Sequence, residues 1–284
     1  MGWLIGLVHA LAYLCGSPRA LPVNAGQGRP PRLTGQFVLV SLAWGLVLVL
    51  VWETTYRLAW PAMMNWAIPA FVTAGMIVLG TCHLAARSLV RLLGRGLLVL
   101  VNTTLRRRAE KVNQLASRPL VRGLLLWLGL FALTAAVALL LNAAFRWWDP
   151  DWPTQLASPW AWLWPRAMHR LLLLMPMWGL WAMLALIQFH RPNAATDAAT
   201  TQLAETTGPV AMAAVFVLPL AGSFVYLMFL NTPMRFVPPA AGVVTALAGG
   251  SLLIRASGGL CRPALLAANL LTQLAFLAGY VAVR

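Results

Sequence analysis

The sequence predicts an all-α polytopic membrane protein, a bundle of 7–8 transmembrane helices with an in-plane amphipathic helix in a basic cytoplasmic loop. Three observations predict it. The chain is 61% hydrophobic and 10% charged, whereas soluble domains carry about 25% charged residues. Several windows of about 20 residues hold almost no charge, which is the length that crosses a bilayer as a helix. Finally, the positive charges gather in short segments between those windows. The windows consume the whole of residues 1–284, so one transmembrane domain is expected and no soluble one.

In chain order, the apolar segment 2–15 is short and either crosses thinly or lies re-entrant. It has no charged n-region and no small-residue cleavage site, so it reads as retained. A Pro/Gly-rich linker follows, then spans at 36–56 and 66–86. The next segment holds Arg87, Arg91, Arg95, Arg106, Arg107, Arg108, Lys111, Arg118 and Arg122 against one acid, Glu110. Arg87, Arg91 and Arg95 recur every four residues, opposite Leu89, Leu92, Leu93 and Leu97. That spacing is the pattern of a helix lying in the headgroup plane and gripping anionic lipid. Arg106, Arg107 and Arg108 open a solvated basic turn, expected to meet a partner.

Further spans are expected at 121–145, 168–190, 209–230, 238–254 and 264–283. Pro176 falls inside the fifth of these eight segments, where it predicts a kink. Placing residues 87–122 in the cytoplasm puts most positive charge inside and leaves Arg57, Arg146, Arg166 and Arg235 outside, with Asp149 and Asp151 partly offsetting them. Trp52, Trp60, Trp66, Trp147, Trp148, Trp152, Trp160, Trp162 and Trp164 then lie at the outer interface, nine of the 14 tryptophans. Cys15, Cys82 and Cys261 fall near the inner helix ends, where a reducing cytosol keeps thiols free. Almost every basic residue is arginine, as in a GC-rich bacterial genome, so the expected location is a bacterial inner membrane. The formal charge of +15 is assigned to orientation and lipid contact, not to nucleic acid.

Five features are candidates for function. The Trp/Pro block around Trp147, Trp148, Trp160, Trp162 and Trp164 reads as an interfacial aromatic belt or as a lid that packs on another subunit. His83 and His190 both sit at inner helix ends, a placement that suits two axial haem ligands if their helices adjoin. Glu53, at the outer end of its span, marks an ion path or pairs with Arg57 four residues on. Asn269 and Gln273, four apart, project from one helical face and are expected to hydrogen-bond between helices. Gly242, Ala246 and Gly250 form a stripe of small residues that admits a neighbouring helix, of this chain or of a partner.

No P-loop, nucleophile elbow, zincin or dinucleotide fingerprint is present, and no catalytic residue is assigned. The function expected is a non-catalytic membrane subunit of a multi-component assembly. Its contact surfaces would be the basic loop 87–122 and the Trp-rich loop 147–165. The alternatives are a transporter or permease with a path through 168–283, and a haem-binding or haem-handling oxidoreductase component.

Overall fold

The computed structural model describes residues 2–14, 34–58, 67–80, 119–146, 167–193, 196–227 and 233–283. All regular elements among these residues are helical. They are α1 (Gly2–Leu14), α2 (Thr34–Arg57), α3 (Ala67–Gly80), α4 (Pro119–Arg146), α5 (Ala167–Phe189), α6 (Ala198–Thr206) and α7 (Pro209–Tyr226). A rod follows that begins as a 3₁₀ turn, Met234–Phe236. It runs on as α8 (Val237–Val244), a π turn at Thr245–Gly249, and α9 (Gly250–Ala256). The last helix is α10 (Arg262–Ala282).

Among the described residues, six stretches are long and apolar enough to cross a membrane: Gly35–Arg57, Leu126–Phe145, Met168–Phe189, Pro209–Tyr226, Met234–Ala256 and Arg262–Ala282. The protein is therefore multi-pass by length and composition. α1 and α3, at 13 and 14 residues, are apolar but short of that length. The basic segment 87–122 and the proposed in-plane helix within it lie outside the described residues.

The centre of the bundle is α5. Its sequence is apolar around the whole circumference, which suits a helix with neighbours on every side. Accordingly 89% of its spanning window is buried, against 17% for α7 and 22% for α4. Helices α2, α7 and α10 and the π turn all pack on α5, while α3 joins the bundle through α2 and α4. The outer helices turn large apolar side chains outward, among them Trp127 and Phe131 of α4 and Val210 and Val217 of α7.

Pro176 does not end α5, which continues through it to Phe189. Proline has no N–H to give the carbonyl four residues earlier, that of Leu172. At that level Gly45 brings the α2 backbone against α5. A β-carbon there would lie 3.0 Å from Leu173 Cα and 3.3 Å from the Leu172 oxygen. Only glycine lets two backbones approach so closely.

Cross-chain contacts fix which helix ends lie together. At one end Trp52 and Tyr56 of α2 meet Phe145 of α4, with ring centroids 5.5 Å apart in each pair. At the other end Tyr13 of α1 meets Phe37 of α2 at 5.6 Å. Residues 53, 145, 169 and 226 thus share one end, and 13, 37, 190, 197, 251 and 262 share the other.

Candidate functional site

Polar side chains occur at three levels along α5. At the end shared with Phe145, Glu53 of α2 meets both Arg57 and His169. It accepts from Arg57 Nε at 2.7 Å through Oε1, and its Oε2 lies 3.1 Å from His169 Nε2 of α5. The Arg57 pairing is an ordinary i, i+4 contact. The His169 contact joins two helices and is partly buried. Beside it, Arg170 is almost fully buried and donates to the Tyr226 carbonyl at the end of α7, at 3.4 Å. A cation at a helix C-terminus meets the negative end of its dipole.

In the middle of the bundle, Gln273 Nε2 donates to Asn269 Oδ1 at 2.6 Å, and Asn269 Nδ2 faces Met183 Sδ at 3.2 Å. The pair lies over Gly179 of α5: a β-carbon there would fall inside the contact radius of Asn269 Oδ1 and 2.9 Å from Gln273 Nε2. Immediately before Gly179 on α5, Trp178 Nε1 donates to Ser223 Oγ of α7 at 2.9 Å. Gln273 Oε1 and Trp181 Nε1 are buried without a hydrogen-bond partner among the described residues.

At the opposite end from Glu53, His190 Nε2 lies 3.0 Å from Ser251 Oγ of α9, and Gln188 Nε2 donates to the Thr207 carbonyl. Nearby, Asp197 N-caps α6: its Oδ2 accepts from Thr200 N at 3.2 Å. Its Oδ1 accepts from Thr200 Oγ1 at 2.8 Å and from the backbone N–H of Arg262, the first residue of α10, at 3.1 Å. One carboxylate therefore serves the positive ends of two helices. The Arg262 side chain turns back to α1. Nε donates to the Tyr13 carbonyl at 2.9 Å, and Nη2 donates to the carbonyls of Ala12, at 2.7 Å, and Tyr13. The guanidinium carbon also lies 4.7 Å from the centroid of the Tyr13 ring, whose hydroxyl meets Thr200 Oγ1 at 2.8 Å.

The residues singled out from sequence fall as follows. Arg87, Arg91, Arg95, Arg106, Arg107, Arg108, His83, Trp147, Trp148, Trp160, Trp162 and Trp164 lie outside the described residues. Asn269 and Gln273 are bonded to each other within α10 and reach α5 through Met183. Gly242 faces Thr272, Phe276 and Trp178, and Gly250 lies against Leu186. Ala246 is fully buried in the π turn. The small-residue stripe thus receives helices of its own chain. His190, considered for haem, directs Nε2 to Ser251. Among the described residues no group of three or more His, Cys, Asp or Glu side chains could hold a metal ion.

Two constellations escaped the sequence reading. Glu53 and His169 are 116 residues apart, and Arg262 and Tyr13 are 249 apart. Nothing local in the sequence reports such pairs. Asp197 did carry a signal, since Asp is a preferred N-cap residue and here directly precedes a helical start.

His190 makes this end of the bundle sensitive to acid. Burial, and after it the charge of Arg255, holds the imidazole below its ordinary value of 6.5. The folded state therefore favours the neutral ring, and the unfolded chain binds more protons as the pH drops. That contribution to stability is complete above about pH 6.5 and declines as the pH falls from there toward the lower, folded value. Unfolding followed from pH 7.5 to 5 should show a shallower pH slope for His190→Gln than for the wild type. Equal slopes would remove His190 from this account.

No protein-family model matches the chain, nor does any curated protein or solved structure.

Proposed function

We propose that the protein is a non-catalytic integral subunit of a multi-component membrane assembly, held in a bacterial inner membrane with residues 87–122 on the cytoplasmic side. The observation that carries this reading is where the polar side chains are engaged. Glu53 and His169, Trp178 and Ser223, His190 and Ser251, and Arg262 with Tyr13 each join one helix to another of the same chain. Such pairs fix a bundle, and here they leave α4 and α7 free to present apolar faces outward. The contact surfaces are the basic loop 87–122, toward a partner or anionic lipid, and the Trp-rich loop 147–165, toward another subunit.

Purification of the tagged chain from its native membrane in a mild detergent tests the reading. Stoichiometric partner polypeptides are expected to copurify. A stable monomer that moves a solute across liposomes would overturn it in favour of a permease. One observation favours that second reading: Gln273 Oε1 is buried without a partner in a helix that packs on the π turn at Thr245–Gly249. π turns recur at functional sites, and an unsatisfied amide in a membrane interior is a ready ligand for a passing polar group.

A further inference from the structure

The rod Met234–Ala256 ends beside His190 in polar side chains that the helix contacts do not use up. Gly250 lies against Leu186, where a β-carbon would fall 2.5 Å from Cδ1. This close approach of α9 to α5 brings Ser251 Oγ to 3.0 Å from His190 Nε2. One turn on from Ser251, on the same side of α9, Arg255 is exposed and forms no ion pair among the described residues. Earlier on the rod, Val244, Leu247, Ala248 and Leu252 are exposed, an apolar stripe that leads to Arg255. We propose that this end of the rod binds one anionic phospholipid, its phosphate on Arg255 and the Ser251–His190 pair and its acyl chains along the stripe.

Three features point to that chemistry. The first is a spare donor. If the Ser251 hydroxyl donates to His190 Nε2, the neutral ring keeps Nδ1–H; if Nε2–H donates to the serine, the hydroxyl hydrogen is left over. Neither side chain has another hydrogen-bond partner among the described residues, and both are partly exposed. Charge is the second. Arg255 is near enough to depress proton binding by His190, and Arg191, next in the chain, is exposed as well. The acids at this end are Asp197, which accepts from Thr200 and from the Arg262 backbone, and Glu205, and neither pairs with Arg255. A phosphodiester supplies the missing negative charge and accepts the spare hydrogen. A headgroup that carries its own cation is disfavoured by the same arginines. Depth is the third. Val244 to Arg255 spans about 16 Å at 1.5 Å per residue, close to half of a hydrocarbon core about 30 Å thick. The stripe thus matches one leaflet, with the cation and the donor pair where phosphates lie. A soluble phosphate would use the polar end alone. The proposal does not depend on the subunit reading, and its lipid contact is separate from residues 87–122.

The full-length protein in phosphatidylcholine nanodiscs tests this with a phosphatidylglycerol that carries a photoreactive diazirine in one acyl chain. The comparison is a phosphatidylcholine with the same chain. Adducts are expected on residues 244–252, with phosphatidylglycerol labelling them about fivefold more, the worth of one cation at an anionic surface. Arg255→Gln should bring phosphatidylglycerol down to the phosphatidylcholine level, whereas Arg235→Gln, at the far end of the same rod, should change nothing here. Ser251→Ala combined with His190→Phe removes the donors and no charge on Arg255, and should lower phosphatidylglycerol adducts by about twofold or more. Equal labelling of the wild type by the two lipids overturns the proposal, and so do adducts confined to other helices. Unchanged labelling in the double variant overturns the site as well, leaving a lone arginine at the surface. A preference abolished by excess inorganic phosphate, but not by sodium chloride of equal ionic strength, would give the site to a soluble phosphate instead. Should the double variant fail to fold, the lipid ratios of the wild type and of Arg255→Gln still decide.

Discussion

Replacing Arg262 with methionine is expected to release α1 from the bundle and to cost about 3 kcal/mol of stability, as expected for losing several hydrogen bonds from one charged donor. Arg262 is almost wholly buried, so water screens little of the loss. Its guanidinium meets the carbonyls of Ala12 and Tyr13 in the last turn of α1, where four carbonyls have no helical donor. Methionine fills a similar volume and donates nothing, so those carbonyls stay buried and unpaired. The stacking of the guanidinium on the Tyr13 ring is lost with them. The effect should be local first. Amide exchange ought to accelerate throughout α1 while α10 keeps its protection, because the Arg262 backbone N–H still binds Asp197. Denaturation in micelles reads the energy, and exchange measured by mass spectrometry reads the location. An unchanged rate in α1 would show that Tyr13 and Phe37, packed edge to face, hold this helix without the arginine.

Asp197→Ala provides the complement. It removes a cap from α6 and from α10 at once, so the damage should reach both helices and spare the Arg262–Tyr13 carbonyl bonds. The two variants together separate the joint between α1 and α10 from the joint between α6 and α10.

The multi-pass character was legible because membrane helices announce themselves by uninterrupted apolar length, and six stretches among the described residues are long and apolar enough to cross a membrane, where 7–8 were expected. The segment expected at 66–86 is helical from Ala67 to Gly80, its remaining residues lying outside the described ones, and 238–254 belongs to a longer rod with a π turn inside it. A π turn has no residue signature, since it arises when packing on α5 and α10 outweighs the regular ladder. Pro176 was expected to kink its helix, but the glycine opposite it lies 131 positions earlier on α2, and only tertiary contact reveals that partnership. The same limit hid His169 from Glu53: hydropathy orders helices along the chain but says nothing of which ones touch.

Gly179→Ala is expected to destabilise the protein by about 1–3 kcal/mol, the usual range for overpacking a tight core. The added methyl would occupy the position of Asn269 Oδ1 and crowd Gln273 Nε2. Asn269 has no easy retreat. It is buried, its carbonyl accepts from Gln273, and its amide nitrogen faces Met183. A rotated Asn269 breaks the pair and leaves two more amide groups unsatisfied, in addition to Gln273 Oε1. The double variant Gly179→Ala, Asn269→Ala should therefore be more stable than the sum of the two single losses, by at least 0.5 kcal/mol in a thermodynamic cycle, because the second change removes the atom that the first one strikes. Strict additivity would mean that the two helices separate to admit the methyl. In that case the contact of α5 with α10 is looser than the placement of Gly179 against this amide pair implies.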